Sequence, residues 1–236
     1  MRAMILAAGR GVRMRPLTDS LPKPMLMVAG RPLIDYQLEA LARAGVDRVV
    51  VNVAWLGAKL ADYLGDGARW GLEIRISDEG ASALETGGGI RQALPLLGHD
   101  AFWVINGDIW SDYPLQELPA EPAGLAHLIL VDNPLHHPQG DFTLLEHHIV
   151  EPLRAGPRLT FAGIGCYRRE LFDAAPGGAF RLAPLLRQAA ARGEVTAAHY
   201  QGRWRDIGTP ERLQALDAEL RLARQGCAGA AGWPVD

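Results

Sequence analysis

Ala3-Met4-Ile5-Leu6-Ala7-Ala8 runs straight into Gly9-Arg10-Gly11-Val12-Arg13-Met14-Arg15-Pro16, and Leu21-Pro22-Lys23-Pro24 follows closely. A short unbroken apolar run bounded by glycine reads as a strand buried on both faces. What leaves this strand is a bare, cationic loop. Gly9 and Gly11 have no Cβ, so the predicted loop can take positive φ and bring its backbone N–H groups close to an anion. Arg10, Arg13, Arg15 and Lys23 add positive charge, and a phosphate site is expected where the strand ends. Two other phosphate loops are excluded: Met14 stands where a dinucleotide fingerprint needs its third glycine, and no Gly-Lys-Ser/Thr follows at P-loop spacing. The same residues also describe a plain strand-to-helix turn with solvated arginines, so the reading needs partners elsewhere in the chain.

Beyond this loop, short apolar runs alternate with helical patterns, the signature of βα units and a largely parallel sheet. Strands are predicted near 3–7, 48–53, 72–76, 102–106 and 125–131. A first helix is expected to open with Pro32 at its first position, to line up Leu33, Tyr36, Leu38 and Leu41, and to close at Gly45. Further helices fit 57–64, 88–97, 181–192 and 210–225, the last with Thr209 as N-cap and Pro210 behind it. Its Leu213, Leu216 and Leu220 form an apolar stripe that reads as an anchor to the core. After residue 132 the character changes: Gly140 to Leu145 with Ile149-Val150 suggests a hairpin, and a long β run extends from Leu159 to Arg168.

The chain has 236 residues, 48% of them hydrophobic, and a formal charge of −3. That is enough apolar material for one sizeable α/β domain, and the lack of a basic excess argues against nucleic acid or an anionic membrane as partner. No Pro/Gly/Ser-rich linker divides it, so one domain is expected over 1–225, with 226–236 as a loose glycine-rich tail. Cys166 and Cys227 form no Cys-x-x-Cys and read as reduced thiols. The N-terminus lacks a leader pattern and no apolar run is long enough to span a membrane, so a cytoplasmic location is expected.

In open α/β sheets ligands bind beyond the carboxyl ends of the strands. Three motifs fall there. Trp103-Val104-Ile105-Asn106-Gly107-Asp108 puts a carboxylate one tight turn past a buried strand, where a hard divalent cation could bridge it to phosphates. Mg²⁺ favours oxygen ligands, typically one or two protein carboxylates completed by phosphate and water. Trp204-Arg205-Asp206-Ile207-Gly208-Thr209-Pro210 supplies the second, Asp206, between a short strand and a helix. Each aspartate alone also fits an ordinary turn or cap; with the cationic loop they make a site. Asp78-Glu79-Gly80 followed by Leu84-Glu85-Thr86-Gly87-Gly88-Gly89-Ile90 offers a glycine-rich turn where a flat nucleobase could approach the backbone, with Glu79 as an acceptor. A flexible helix entry explains it equally well.

These motifs in this order resemble the sugar-1-phosphate nucleotidyltransferase family over residues 3 to about 220. Leu84–Ile90, Leu130-Val131-Asp132-Asn133-Pro134 and Gly140-Asp141-Phe142 narrow the resemblance toward a uridylyltransferase of bacterial cell-wall recycling. The resemblance implies a Rossmann-like (GT-A-like) α/β fold: a mostly parallel central sheet, helices on both faces and a small β-rich acceptor-binding part. It implies that Ala8, Gly9, Gly11, Val12, Arg13, Lys23 and Asn106 hold a nucleoside triphosphate, UTP, and that Asp108 and Asp206 hold Mg²⁺. Glu79, Gly87 and Gly88 would face the base, and Gly140, Asp141 and Glu151 the sugar 1-phosphate. Arg13, Lys23, Asp108 and Asp206 would be the catalytic set, in a monomer or weak homodimer. One departure stands out: many relatives carry a glutamate-lysine pair shortly after the acceptor loop, whereas Glu151 is followed by Pro152. No lysine occurs from 141 to 163, and Arg154 and Arg158 are the neighbouring cations.

Rival readings remain at this stage. Other bases and sugars would suit the same motifs. A catalytically silent nucleotide-sugar sensor has no need to keep Arg13, Lys23, Asp108 and Asp206 together, and Asp108-Ile109-Trp110 lacks the second acid of a glycosyltransferase Asp-x-Asp. His136-His137 and His147-His148 read as solvated loop, because adjacent side chains diverge. Trp55 and Trp110 read as core aromatics.

Overall fold

The computed structural model describes residues 1–145, 150–151 and 158–229, without the side chains of 150–151 and 225–229. Its centre is four parallel strands: β1 (Arg2–Leu6), then, past the short hairpin of β2 (Met27–Val28) and β3 (Arg31–Pro32), β4 (Arg48–Val53), β5 (Glu73–Asp78) and β6 (Phe102–Asn106). The spatial order is β6-β1-β4-β5, with β1 paired on both sides. In this register Leu6 stands beside Asn52 on one flank and Asn106 on the other. Two polar side chains thus mark the carboxyl edge of the sheet on either side of the loop that leaves β1.

Successive side chains on these strands enter different cores, as the period of two requires. Ala3, Ile5, Val49, Val51, Trp103 and Ile105 pack with Ile34, Leu38 and Leu41 of α1 (Leu33–Arg43) and Leu60 and Leu64 of α2 (Gly57–Leu64). Met4, Val50, Phe102 and Val104 pack with Ile90, Ala93, Leu94 and Leu97 of α3 (Glu85–Leu97) and Leu182 and Leu186 of α4 (Leu182–Ala191). Burial on both faces is why β1, β4 and β6 read as near-continuous apolar runs, while the edge strand β5 alternates. The expected α/β architecture with helices on both faces is what the chain forms.

Past β6 the sheet turns mixed. A three-residue strand, β7 (Ile109–Ser111), precedes β8 (Ala126–Val131), β9 (Phe142–Leu144), β10 (Val150–Glu151) and the long β11 (Arg158–Tyr167). β11 lies antiparallel to β6, β8 and β9, and β12 (Val195–Tyr200) joins β8 in parallel. The expected hairpin is present as the β9–β10 pair, with Val150 opposite Leu144. Its connecting residues 146–149, with His147-His148, lie outside the described residues, as does Arg154.

Several boundaries differ from the sequence reading. β12 is new: Val195-Thr196-Ala197-Ala198 carries no alternation, and the strand forms because β8 offers a free edge. Pro32 precedes α1 rather than opening it, while Gly45 does take positive φ just past the helix, as expected. α3 begins at Glu85, so the glycine triplet lies inside its first turns instead of ahead of it. α5 (Pro210–Gly229) runs four residues past the predicted end, into the segment read as tail. Thr209 caps it, with Oγ1 accepting from Arg212 N at 3.4 Å. Leu213, Leu216 and Leu220 anchor it on Met14, Leu26, Leu33, Trp110 and Ile207, so the leucine stripe and Trp110 are both core.

Candidate active site

The loop after β1 borders an open cleft of about 480 Å³ lined by Gly9, Arg10, Arg13, Lys23, Glu79 and Asp108, among others. Gly11 sits at φ 63°, and its carbonyl accepts from Met14 N at 2.8 Å and Thr18 Oγ1 at 2.8 Å. A side chain at Gly11 would be strained by the backbone and would press on Thr18. Gly9 does not need positive φ, which corrects the expectation for that residue; open space lies where its Cβ would be. Met14, the residue that spoils a dinucleotide fingerprint, is fully buried against α5 and pins the loop to the core. Arg10 stacks over Trp55 at 4.5 Å, and Trp55 is tied to Thr18 O, so this tryptophan braces the loop. Arg13 lines the cleft and has no ion-pair partner among the described residues.

Across the cleft, Gly107 crosses Leu6 closely enough that its N–H bonds the Leu6 carbonyl at 2.8 Å, and a Cβ would collide with that oxygen. Only glycine fits, and the turn delivers Asp108 to the cleft. Gln37, buried on α1, holds the same turn from behind, donating from Nε2 to Asn106 O at 2.8 Å and to Ile109 O at 3.0 Å. Asp108 is 43% exposed and pairs with the buried Lys23 at 2.7 Å. β13 (Trp204–Asp206) runs antiparallel to β7, with Asp206 opposite Ile109, and Ile207 N donates to Asp108 O at 2.7 Å. The two aspartates, distant in sequence, are therefore neighbours through a direct backbone ladder.

Asp206 ends its strand rather than following it, and its carboxylate is already engaged: Oδ1 lies 2.9 Å from His136 Nε2, and Oδ2 pairs with Arg212. Neither partner was expected. His136, read as solvated loop, reaches the site from the far end of β8, a proximity with no local sequence signal. Among the described residues no third His, Cys, Asp or Glu joins to form a metal cluster. Asp108 on the cleft and Asp206 on the adjoining strand are oxygen donors of the kind a hard divalent ion takes, with its other ligands from phosphate and water.

The second glycine-rich segment behaves differently from the expectation. The N–H groups of Gly87 and Gly88 both donate to the Phe180 carbonyl, at 2.9 and 3.1 Å. Their pro-Cβ sides press on Phe180 and the Gly178 carbonyl, and neither residue lines the cleft. These glycines permit close packing of α3 under the 178–180 segment; Thr86 and Glu85 line the cleft instead. Glu79 does line it, and both its oxygens are held: Oε1 accepts from Asn52 Nδ2 and Oε2 from Leu84 N, each at 2.6 Å. Asn52 Oδ1 in turn accepts from Ala7 N at 2.7 Å. Asn52 was missed, although a buried amide ending a run of valines at the ligand-facing edge was a readable signal.

At the start of β9, Gly140, expected to contact the sugar 1-phosphate, has φ 59° and packs against Asn133 and β11. The Asp141 carboxylate accepts from Phe161 N at 2.9 Å and meets His137 at 3.2 Å, and the Arg158 guanidinium donates to the Asp141 carbonyl. Gly140 and Asp141 therefore fasten the start of β9 to β11. The Glu151 side chain lies outside the described residues.

The site so built is a glycine- and arginine-bearing loop at the end of β1 that shares one cleft with Asp108, whose backbone is laddered to that of Asp206, on a mixed α/β sheet. The profile of the nucleotidyl transferase family matches residues 2–133. The chain belongs to that family and is a nucleotidyltransferase. It is 49% identical over 225 residues to the N-acetylmuramate alpha-1-phosphate uridylyltransferase of Neisseria meningitidis serogroup B, covering 92% of this chain and 97% of that one. It is 37% identical to the protein of the same name from Caulobacter vibrioides, over 94% of this chain and 96% of the other. The solved inositol-1-phosphate CTP transferase of T. maritima shares the fold, with TM-score 0.75 at 19% identity over 94% and 95% of the two chains. No helix among the described residues is long and apolar enough to cross a membrane.

Proposed function

We propose that this protein transfers a uridylyl group from UTP to N-acetylmuramic acid α-1-phosphate, giving UDP-N-acetylmuramic acid and pyrophosphate in the recycling of peptidoglycan in the cytoplasm. The observation that carries the substrate choice is the 49% identity to the Neisseria uridylyltransferase over nearly the full length of both chains. The cleft geometry supports the reaction type.

In this reading a phosphate oxygen of the sugar 1-phosphate attacks the α-phosphorus of UTP, the new P–O bond forms in line, and the bond to the β-phosphate oxygen breaks. A phosphate dianion is already a nucleophile, so no base is required, and positioning and charge neutralisation carry the catalysis. The amides of Gly9, Gly11 and Val12, beside Ala8, hold the triphosphate. Arg13 and Lys23 offset its charge, Lys23 doing so from a buried position that also steadies Asp108. Asp108 and Asp206 are the residues that would hold Mg²⁺, which when bound polarises the α-phosphoryl group. Asn106 and Glu79 border the nucleotide, Glu79 by holding the 79–84 segment against Asn52, while Gly140, Asp141 and Glu151 belong to the acceptor side.

The test is pyrophosphate release measured across four nucleoside triphosphates and several sugar 1-phosphates, with Mg²⁺ and with chelator. The expected result is turnover confined to UTP with N-acetylmuramic acid α-1-phosphate and abolished by EDTA. A clear preference for another base or sugar overturns the assignment.

A further inference from the structure

We propose that Arg212 binds the acceptor, gripping the phosphate of the sugar 1-phosphate with the unengaged edge of its guanidinium; this rests on the reaction proposed above. Arg212 lies in the first turn of α5, about one quarter exposed, with Asp206 on one side and His136 Nε2 at 2.7 Å. Both contacts use Nη1 alone. Among the described residues Nη2 and Nε have no partner, and Nη2 lies against Gly208, a residue that lines the cleft. A Cβ at Gly208 would overlap the guanidinium, so the glycine is what lets this cation reach the cleft wall.

The acceptor phosphate needs N–H donors of its own, which the unengaged edge of Arg212 supplies. Lys23 and Arg212 neutralise Asp108 and Asp206 one for one. A triphosphate with one divalent ion then brings in excess negative charge, and the acceptor adds a dianion. Arg13 and Lys23 serve the loop that holds the triphosphate. In-line attack puts the acceptor phosphate opposite the departing pyrophosphate, away from the group that binds it. Arg212 reaches from α5 to the cleft-lining Gly208, beside the second aspartate. A guanidinium fork matches two phosphate oxygens at once, which a lysine does not. His136, on the segment that follows β8, lies against Nη1 from the other side, and Nη2 points to Gly208.

The experiment compares Arg212→Met and Arg212→Lys with the unmodified enzyme, using the sugar 1-phosphate that gives the fastest turnover in the substrate matrix. The expected result is a rise in KM for the sugar 1-phosphate of roughly ten- to hundredfold in R212M, about the loss of one charged hydrogen-bond pair. R212K should recover part of it, with the KM for UTP changed less than threefold. Inhibition by inorganic phosphate against the acceptor should weaken in parallel. An unchanged acceptor KM, or equal rises in the KM of both substrates, overturns the proposal. Should R212M be inactive, calorimetry with α,β-methylene-UTP and Mg²⁺ decides: lost sugar 1-phosphate binding with retained nucleotide binding supports it, and retained binding of both overturns it. Because the acceptor is chosen empirically, a wrong sugar assignment shows in the matrix and leaves this comparison intact.

Discussion

Lys23 Nζ lies 2.7 Å from Asp108 Oδ2, an ion pair closed between residues 85 positions apart, with the lysine almost fully buried and the carboxylate open to the cleft. The pair sets Asp108 in a fixed direction before any substrate arrives. Breaking a partly buried pair at one end leaves the other charge poorly solvated, so the two ends should fail differently.

Asp108→Asn removes the charge that would meet the cation and leaves the fold in place. Turnover should fall by about three orders of magnitude, in the range set by losing a pre-organised charge contact, with thermal unfolding shifted only slightly. Lys23→Met should lower turnover and also raise the Mg²⁺ concentration needed for half-maximal rate. Equal activity of D108N and the unmodified enzyme would refute the site.

Glu79→Ala removes the acceptor for both Asn52 Nδ2 and Leu84 N. The cost should be about 1–3 kcal/mol by urea unfolding, the penalty for stranding partly buried donors. The KM for UTP should rise because the 79–84 segment lines the cleft. Glu79→Gln should recover little, since a carboxamide presents an NH₂ group to one of the two donors.

Gly87→Ala puts a methyl group into the Phe180 ring. Overpacking of this kind costs about 1–3 kcal/mol. Phe180→Ala in the same chain should restore part of the loss, measured as the coupling term of a double-mutant cycle. If the glycine instead served the base, G87A would impair UTP binding with stability unchanged and Phe180→Ala would not help.

The Cys166 thiol is fully buried in β11, and burial raises its pKa from an ordinary 9.0 to about 12. A thiol whose folded pKa is raised favours the protonated form, so its contribution to stability is intact below pH 9 and declines between about pH 9 and 12. In a Cys227→Ser background, Cys166 should resist iodoacetamide at pH 8 in the folded protein and react once urea unfolds it. Prompt modification under native conditions would contradict the buried placement.

Much of this protein was legible from local pattern. The strand at 2–6, the valine strand at 48–53 and the helix at 57–64 follow from runs of apolar residues and from periodicity. The cationic loop, Asp108 and the cap at Thr209 follow from residue types at the ends of such elements. The glycine triplet was misread because a flexible entry and a tight packing surface have the same composition; only the position of Phe180 tells them apart. β12 was missed because its strand character comes from the edge of β8 and not from its own residues.

The sequence by itself determined the layers of the fold, since buried strands and amphipathic helices need no knowledge of distant residues. It also determined that one loop is built for phosphate, because glycine and arginine at a strand end act within a few positions of each other. The tertiary structure alone decided what Asp206 touches. Its ladder to Ile109 and its contact with His136 join segments some seventy to a hundred residues apart. Such contacts depend on register and sheet order, which are set by the packing of the whole chain against itself, and no local stretch carries them.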